Sequence, residues 1–178
     1  TAAGIDRTAG LGPCPYAVKA EGLMHRPTGY WLMKSEPDVF SIRDLERQGR
    51  TPWTGVRNYQ ARNYMRDAMR PGDRVLFYHS STEVPGVAGL ARVCSNPYPD
   101  ASAWDRKSEF FDPRSTPDKP VWMLVDIAFD RIFKRHVPLS ELRTDPALKA
   151  LLVLKRGMRL SIQPVEPEHF QRIVALGS

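Results

Sequence analysis

The sequence predicts an α+β fold built on a mostly antiparallel, barrel-like sheet. Strand candidates in the middle of the chain follow one another directly, without a helix between them. The predicted order is strand, two helices, two strands, a long loop, a strand, a helix, a strand and a final helix. A regular alternation of strands and helices would instead indicate a parallel sheet. A chain of 178 residues that is 42% hydrophobic is long enough for one domain with its own core.

The first part of the chain differs from the rest. Residues 1–28 contain four glycines and three prolines and show no hydrophobic periodicity. We therefore expect residues 1–28 to form an irregular N-terminal extension and residues 29–178 to form the domain. Met24 is a candidate for the natural start, with the preceding residues lying upstream of it.

The first strand and the first helix have clear sequence signals. Tyr30 to Lys34 is a short aromatic and apolar strand, which the segment Ser35-Glu36-Pro37 ends. Ser41 is a good N-cap, and Asp44 lies three residues later as in a capping box, so a helix begins here. The pair Gln48-Gly49 predicts the end of this helix.

A second helix is predicted from about residue 58 to residue 69. Apolar residues recur at helical spacing and predict one buried face, formed by Ala61, Tyr64, Met65, Ala68 and Met69. Three arginines recur every four residues along one flank of that face, namely Arg62, Arg66 and Arg70.

The middle of the chain predicts a hairpin followed by a long loop. Residues 74–79 and 87–95 are strand candidates, and the short polar segment between them predicts antiparallel partners. Residues 96–120 contain several prolines and no regular pattern. Loops of this length usually carry function or cover another part of the molecule.

The C-terminal part predicts two further strands and two helical regions. Residues 121–133 read as a long strand, and residues 139–152 read as short helical turns that Pro146 interrupts. Residues 159–163 are predicted to form a strand. Residues 167–176 form a terminal helix with proline in its first turn.

Basic charge is concentrated in one part of the chain. The formal net charge is +6, and residues 41–70 hold seven arginines, three acidic residues and no lysine. Trp53, Tyr59 and Tyr64 are interleaved with these arginines. This mixture favours a surface that binds a polyanion. A solvated helix face is the alternative interpretation.

Several classes of protein are not expected. Cys14 and Cys94 form no CxxC motif and lie near no histidine at ligand spacing, so neither a disulfide framework nor a metal site is predicted. No apolar run is long enough to span a membrane, and no signal peptide is recognisable. We expect a cytoplasmic protein that uses no cofactor.

Catalytic patterns are weak. His79 and Ser80 are adjacent on a strand, so their side chains would point to opposite faces and could not form a nucleophilic pair. Glu36 and Asp38 are close in sequence, but no second carboxylate pair supports acid–base chemistry. No phosphate-binding glycine loop is present. An enzyme is therefore not predicted, although a base-processing enzyme that uses Glu36 or His79 stays open as an alternative.

Three segments combine aromatic rings, basic groups and polar acceptors: residues 30–37, 51–64 and 155–164. Such groups can stack on a base, pair with phosphate and read a base edge. Together with the segment from Leu76 to Ser80, they resemble the EVE domain, in order along the chain from residue 29 to residue 177. Members of this family occur in small bacterial proteins and in eukaryotes.

The resemblance implies a PUA-like fold, a mixed β pseudo-barrel with peripheral helices. It also implies a binding module, not an enzyme, with a pocket for a modified base that is flipped out of the polymer. The partner would be DNA with a modified cytosine or RNA with a modified base. A small-molecule or protein-interaction module on the same fold is the remaining alternative.

A flipped base needs aromatic walls, polar groups that read its edge and a basic approach surface. The candidate walls are Trp31, Trp53 and Tyr78. The candidate polar groups of the pocket are Ser35, Glu36, Asn58, His79 and Ser80. The candidates for phosphate contact or for the rim are Lys34, Arg57, Arg62, Arg66, Arg156 and Arg159. For Trp31 the alternative is a place in the core, and for Glu36 it is a turn or cap.

Overall fold

The structure is a computed structural model that describes residues 29–178, so the extension expected for residues 1–28 lies outside the described residues. The strands are β1 Tyr30–Ser35, β2 Arg50–Pro52, β3 Arg74–His79, β4 Gly86–Val93, β5 Tyr98–Pro99, β6 Met123–Leu124, β7 Asp126–Pro138 and β8 Ile162–Pro164. The α-helices are α1 Ile42–Gln48, α2 Tyr59–Asn63, α3 Leu139–Thr144 and α4 Pro167–Gly177.

Six of the strands form one curled sheet in the order β2-β7-β4-β3-β1-β8. Only β1 and β3 pair in parallel within this sheet, and the other neighbours are antiparallel. The short strands β5 and β6 pair separately. The predicted α+β class, the mostly antiparallel sheet and the PUA-like architecture are confirmed.

The two faces of the sheet carry two hydrophobic clusters. Because successive side chains of a strand point to opposite faces, Met33 of β1 and Phe77 of β3 share one face. Leu32 and Leu76 share the other face, where α3, α4 and the turns that follow α3 cover them. The same alternation continues to the ends of β1 and β3 and places Lys34 beside Tyr78 and Ser35 beside His79.

Helix α1 begins and ends as its sequence predicts. The Ser41 hydroxyl accepts from the Asp44 amide at 3.2 Å, and the Asp44 carboxylate accepts from the Ser41 amide at 2.7 Å. This is the predicted capping box. Gly49 follows the helix with φ +73°, a conformation that is accessible to glycine at little cost.

The second helix differs from the prediction in its last part. The α-helix ends at Asn63, and a π-helical turn continues from Tyr64 to Ala68. The wider turn adds a residue before Met69, whose amide donates to the Tyr64 carbonyl at 2.9 Å. Met69 therefore stays fully buried, whereas Ala68 is exposed, and the prediction that Ala68 lies in the core is wrong.

Two strand predictions near the C-terminus also differ. The long strand is interrupted at Val125, and its second part continues to Pro138. The strand predicted over 159–163 lies instead at Ile162–Pro164. Residues 155–161 form an irregular turn in which Gly157 has φ +75°, and this turn borders the cavity described below. Within residues 29–178, the helices are too short and too polar to cross a lipid bilayer.

Candidate nucleic-acid interface

An open cavity of about 560 Å³ lies where β1 and β3 end. Its size falls within the range of small-molecule sites in proteins. The side chains come from β1, from β3 and the turn that follows it, from α3 and from the irregular segment before β8. The lining residues are Lys34, Tyr78, Ser80, Ser81, Pro85, Leu139, Arg143 and all of residues 153–159.

The charge of this cavity has one sign. No lining residue is acidic, and five are basic, namely Lys34, Arg143, Lys155, Arg156 and Arg159. They come from three separate segments of the chain, so the tertiary fold concentrates them at one place. A concave surface lined by several cations attracts an anionic ligand.

Lys34 is the innermost of these cations. Its ammonium group donates to the Met158 carbonyl at 3.1 Å and lies 6.0 Å from the centre of the Tyr78 ring. Burial lowers the pKa of Lys34, because a charged amine is less stable away from water. Burial raises the pKa of Tyr78, and the nearby charge of Arg143 acts in the opposite direction.

One acidic side chain borders the cavity. Ser81 lines the cavity and has a positive φ of 53°, which is uncommon for residues other than glycine. Its hydroxyl donates to the Glu36 carboxylate at 3.1 Å. Glu36 is exposed, so its second oxygen remains accessible to a ligand.

The structure brings together five of the residues predicted from the sequence, namely Lys34, Tyr78, Ser80, Arg156 and Arg159. The predicted site did not include three polar lining residues, namely Ser81, Arg143 and Lys155. Arg143 lies on α3, far from any of the aromatic and basic segments, and only the packing of α3 on the sheet places it here. Ser81 directly follows the predicted pocket residue Ser80, and this position next to Ser80 is what the sequence offers to indicate that Ser81 belongs to the site.

Trp31 and Trp53 do not line the cavity, which corrects their expected role as walls and gives Trp31 its alternative place in the core. Trp31 is 6% exposed, and its indole nitrogen donates to the Asp73 carboxylate at 2.9 Å. Trp53 is 9% exposed and packs edge-to-face on Phe77, with 5.8 Å between ring centres. Both rings lie in the core cluster on the opposite face of the sheet from Lys34.

Ser35 and His79 lie at the same end of the sheet but on that opposite face. The Ser35 hydroxyl donates to the Phe40 carbonyl at 2.6 Å. His79 Nε2 accepts from the amide of Ile42, the first residue of α1, at 3.1 Å. Burial lowers the pKa of His79. Both side chains thus attach the start of α1 to the sheet, and the bond to Ile42 occupies the lone pair that a catalytic base would need.

Asn58 and Arg57 have structural partners. Asn58 is exposed and caps α2, since its side-chain oxygen accepts from the Ala61 amide at 3.1 Å. Arg57 pairs with Asp100 at 2.8 Å and donates to the Phe110 carbonyl. Burial would raise the pKa of Asp100, but hydrogen bonds from Ser102 and Arg57 lower it below its ordinary value. Arg57 therefore attaches the long loop to the domain, as expected for a loop that covers another segment.

Arg62 and Arg66 lie on α2 and its π-helical continuation, outside the cavity lining. Arg62 donates to the Val121 carbonyl, and its guanidinium lies 5.1 Å from the centre of the Tyr59 ring. Arg66 is exposed and pairs with its neighbour Asp67 at 2.6 Å. The predicted basic groups thus fall into two places, the cavity and the surface of α2.

No group of three or more histidine, cysteine, aspartate or glutamate side chains between residues 29 and 178 is arranged to hold a metal ion. Cys94 is buried, and Cys14 lies outside the described residues.

Known proteins are similar to this chain in sequence and in fold. Human thymocyte nuclear protein 1 is 41% identical over 168 residues, which cover 84% of this chain and 74% of the relative. A crystal structure of a protein from Pseudomonas syringae superposes with a TM-score of 0.80 at 46% identity and covers 84% of this chain and 99% of that one.

A second solved structure contains a ligand. It is the crystal structure of human THYN1 protein in complex with 5-methylcytosine-containing DNA, with a TM-score of 0.77 and 41% identity. The similarity covers 85% of this chain and 98% of that chain. The family model of the EVE domain matches residues 29–176. The chain belongs to the EVE domain family.

Proposed function

We propose that this protein binds nucleic acid that contains a modified cytosine. The observation that carries the proposal is the cavity at the end of β1 and β3, with five basic lining residues and no acidic one. The structure of the human relative with 5-methylcytosine-containing DNA supports this choice of ligand, because that protein has the same fold at 41% identity.

The basic side chains suit the phosphates of the polymer. Arg143, Arg156 and Arg159 are exposed at the cavity and can each offer a guanidinium to two phosphate oxygens. Lys34 lies deeper, where the lower dielectric strengthens its attraction to an anion. A phosphate beside Lys34 would also offset the cost of burying its charge.

The same cavity has an apolar part and a polar edge that suit a base. Leu139, Val153 and Leu154 provide apolar contact for a base and its methyl group. Glu36, which is held by Ser81, can accept from the exocyclic amino group of cytosine. Within a duplex, the target base would have to leave the stack to reach these groups.

The double variant Arg156→Ala/Arg159→Ala tests the site. We expect it to bind a 5-methylcytosine oligonucleotide at least roughly tenfold more weakly than the wild type. The dependence of log affinity on log salt should also become shallower by about 0.9 for each lost duplex phosphate contact. Fluorescence anisotropy at several salt concentrations measures both quantities.

The matched control is Arg131→Ala, since Arg131 is exposed on β7 and does not line the cavity. This variant should keep the affinity and the salt dependence of the wild type. The proposal for this cavity is rejected if the double variant behaves like the control.

A further inference from the structure

A second aromatic and basic surface lies on α2, outside the cavity. We call it the Tyr59 platform and define it by Tyr59, Arg62 and Trp122. The Tyr59 ring stacks on the Trp122 ring with 4.9 Å between their centres and 27° between their planes. The Arg62 guanidinium lies 5.1 Å from the centre of Tyr59 and 5.9 Å from that of Trp122. Tyr59 is nevertheless 49% exposed, so much of its ring is open to solvent.

The ring of Tyr59 is held in place by what lies beneath it. Trp122 is 2% exposed, and its indole nitrogen donates to the buried Asp112 carboxylate at 2.8 Å. The Arg57 guanidinium lies 5.4 Å from the centre of Trp122, and Arg62 is held by its bond to the Val121 carbonyl. The stacking of a base on Tyr59 would therefore order few protein side chains and would cost little conformational entropy.

The charge of the platform is available to a polyanion. Arg57 and Arg114 have carboxylate partners, Asp100 and Asp112. Arg62 instead donates to neutral oxygens, the Asn63 side-chain carbonyl and the Val121 backbone carbonyl. A cation beside an exposed aromatic ring is the combination with which proteins bind single-stranded nucleic acid.

The platform and the cavity lie toward opposite ends of β7. Trp122 precedes the start of β7 at Asp126, whereas Leu139 of the cavity directly follows its end at Pro138. No residue of the platform lines the cavity. One polymer could reach both places only by extending across the molecule.

We propose that the Tyr59 platform stacks an unpaired base of the nucleic acid whose modified cytosine enters the cavity. This inference rests on the proposed function and adds a preference for a single-stranded segment beside the modified base. A duplex keeps its bases stacked on one another, so it offers no base to Tyr59.

The experiment measures the affinity of the Tyr59→Ala variant for three 5-methylcytosine ligands. They are a trinucleotide, a single strand of about twelve nucleotides and a blunt duplex of the same sequence. We expect the variant to bind the long single strand roughly tenfold more weakly than the wild type. Binding of the trinucleotide and of the duplex should not change. Tyr59→Phe should keep the wild-type affinity for all three, since it keeps the ring.

The control variant Tyr59→Leu separates the loss of the aromatic ring from a loss of packing on Trp122, because leucine still covers the Trp122 ring but offers no π face. It should reproduce the effect of Tyr59→Ala with an unchanged melting temperature. Equal affinities of wild type and both variants for the long single strand would overturn the inference, as would an equal loss on all three ligands. In contrast, a wild-type protein that binds none of the modified ligands would contradict the proposed function itself.

Discussion

At the scale of single residues, Glu36 is the side chain most suited to choose among bases. Its carboxylate is exposed, is oriented by the Ser81 hydroxyl and stands beside a cavity whose lining carries only positive charge. A carboxylate accepts hydrogen bonds from an amino edge and repels an acceptor edge, so it contributes to choice as well as to affinity.

We therefore expect Glu36→Gln to change the order of affinities among oligonucleotides with different modified bases. The glutamine side chain keeps the size of glutamate but offers a donor as well as an acceptor. Competition binding with cytosine, 5-methylcytosine and thymine oligonucleotides measures the order. An order identical to that of the wild type would show that Glu36 does not read the base.

Trp53 is an aromatic residue whose burial indicates a structural role and not a role in ligand stacking. The ring packs edge-to-face on Phe77 and is 9% exposed, so its removal would leave a hole in the core. Trp53→Ala should lower the free energy of unfolding by about 3–5 kcal/mol, as for other large core residues. Urea denaturation measures this change. A fully stable variant that no longer binds oligonucleotides would instead assign Trp53 to ligand stacking.

At the scale of elements, the start of α1 depends on the charge state of His79. Its Nε2 can accept from the Ile42 amide only while the ring is neutral. Burial is the largest cause that lowers the pKa of His79, His136 lowers it further, and Asp44 opposes them. Protonation would place a cation beside the positive end of a helix.

The folded pKa of His79 is below the unfolded value of about 6.5, so the unfolded chain binds a proton first as the pH falls. The stability that the neutral ring contributes is present above about pH 6.5 and is lost as the pH falls through the lower folded pKa. We expect the melting temperature to fall between about pH 7.5 and pH 5 and to fall less in His79→Gln. Equal falls in both proteins would show that His79 is not responsible.

Local signals predicted some elements well. The capping box and Gly49 define α1 in the sequence because they satisfy backbone groups within a few residues of the helix ends. The π-helical turn after Asn63 carries no such signal, since the same apolar spacing fits a continuous α-helix. The strand expected over 159–163 starts later because Gly157 and its neighbours form a turn around the cavity.

At the scale of the whole molecule, the site is a product of strand pairing. Lys34 and Tyr78 become neighbours because β1 and β3 pair in parallel, and Arg156 reaches them because β8 pairs with the other edge of β1. The composition of these segments was readable in the sequence, and it predicted five of the lining residues. Which face of the sheet carries the cavity is not readable in the sequence, so the predicted pocket includes Ser35 and His79, whose side chains lie on the opposite face from Lys34.

The basic residues near α2 and those of the cavity form two separate surfaces in the structure, although the sequence pattern predicts one. The sequence shows both groups as basic and aromatic, but their partners differ. Arg57, just before α2, and Arg66, on the π-helical turn after it, pair with carboxylates, whereas Arg156 and Arg159 have no ion-pair partner among the described residues. The latter pair should therefore contribute more to the salt dependence of binding.

A preference for nucleic acid with a modified cytosine can be measured on the wild-type protein alone. The measurement is the affinity of the wild-type protein for two oligonucleotides that differ only in a single 5-methylcytosine, at one fixed salt concentration. We expect tighter binding of the modified oligonucleotide by roughly fivefold or more, because its methyl group adds one apolar contact in the pocket. Equal affinity for the two oligonucleotides would contradict this preference.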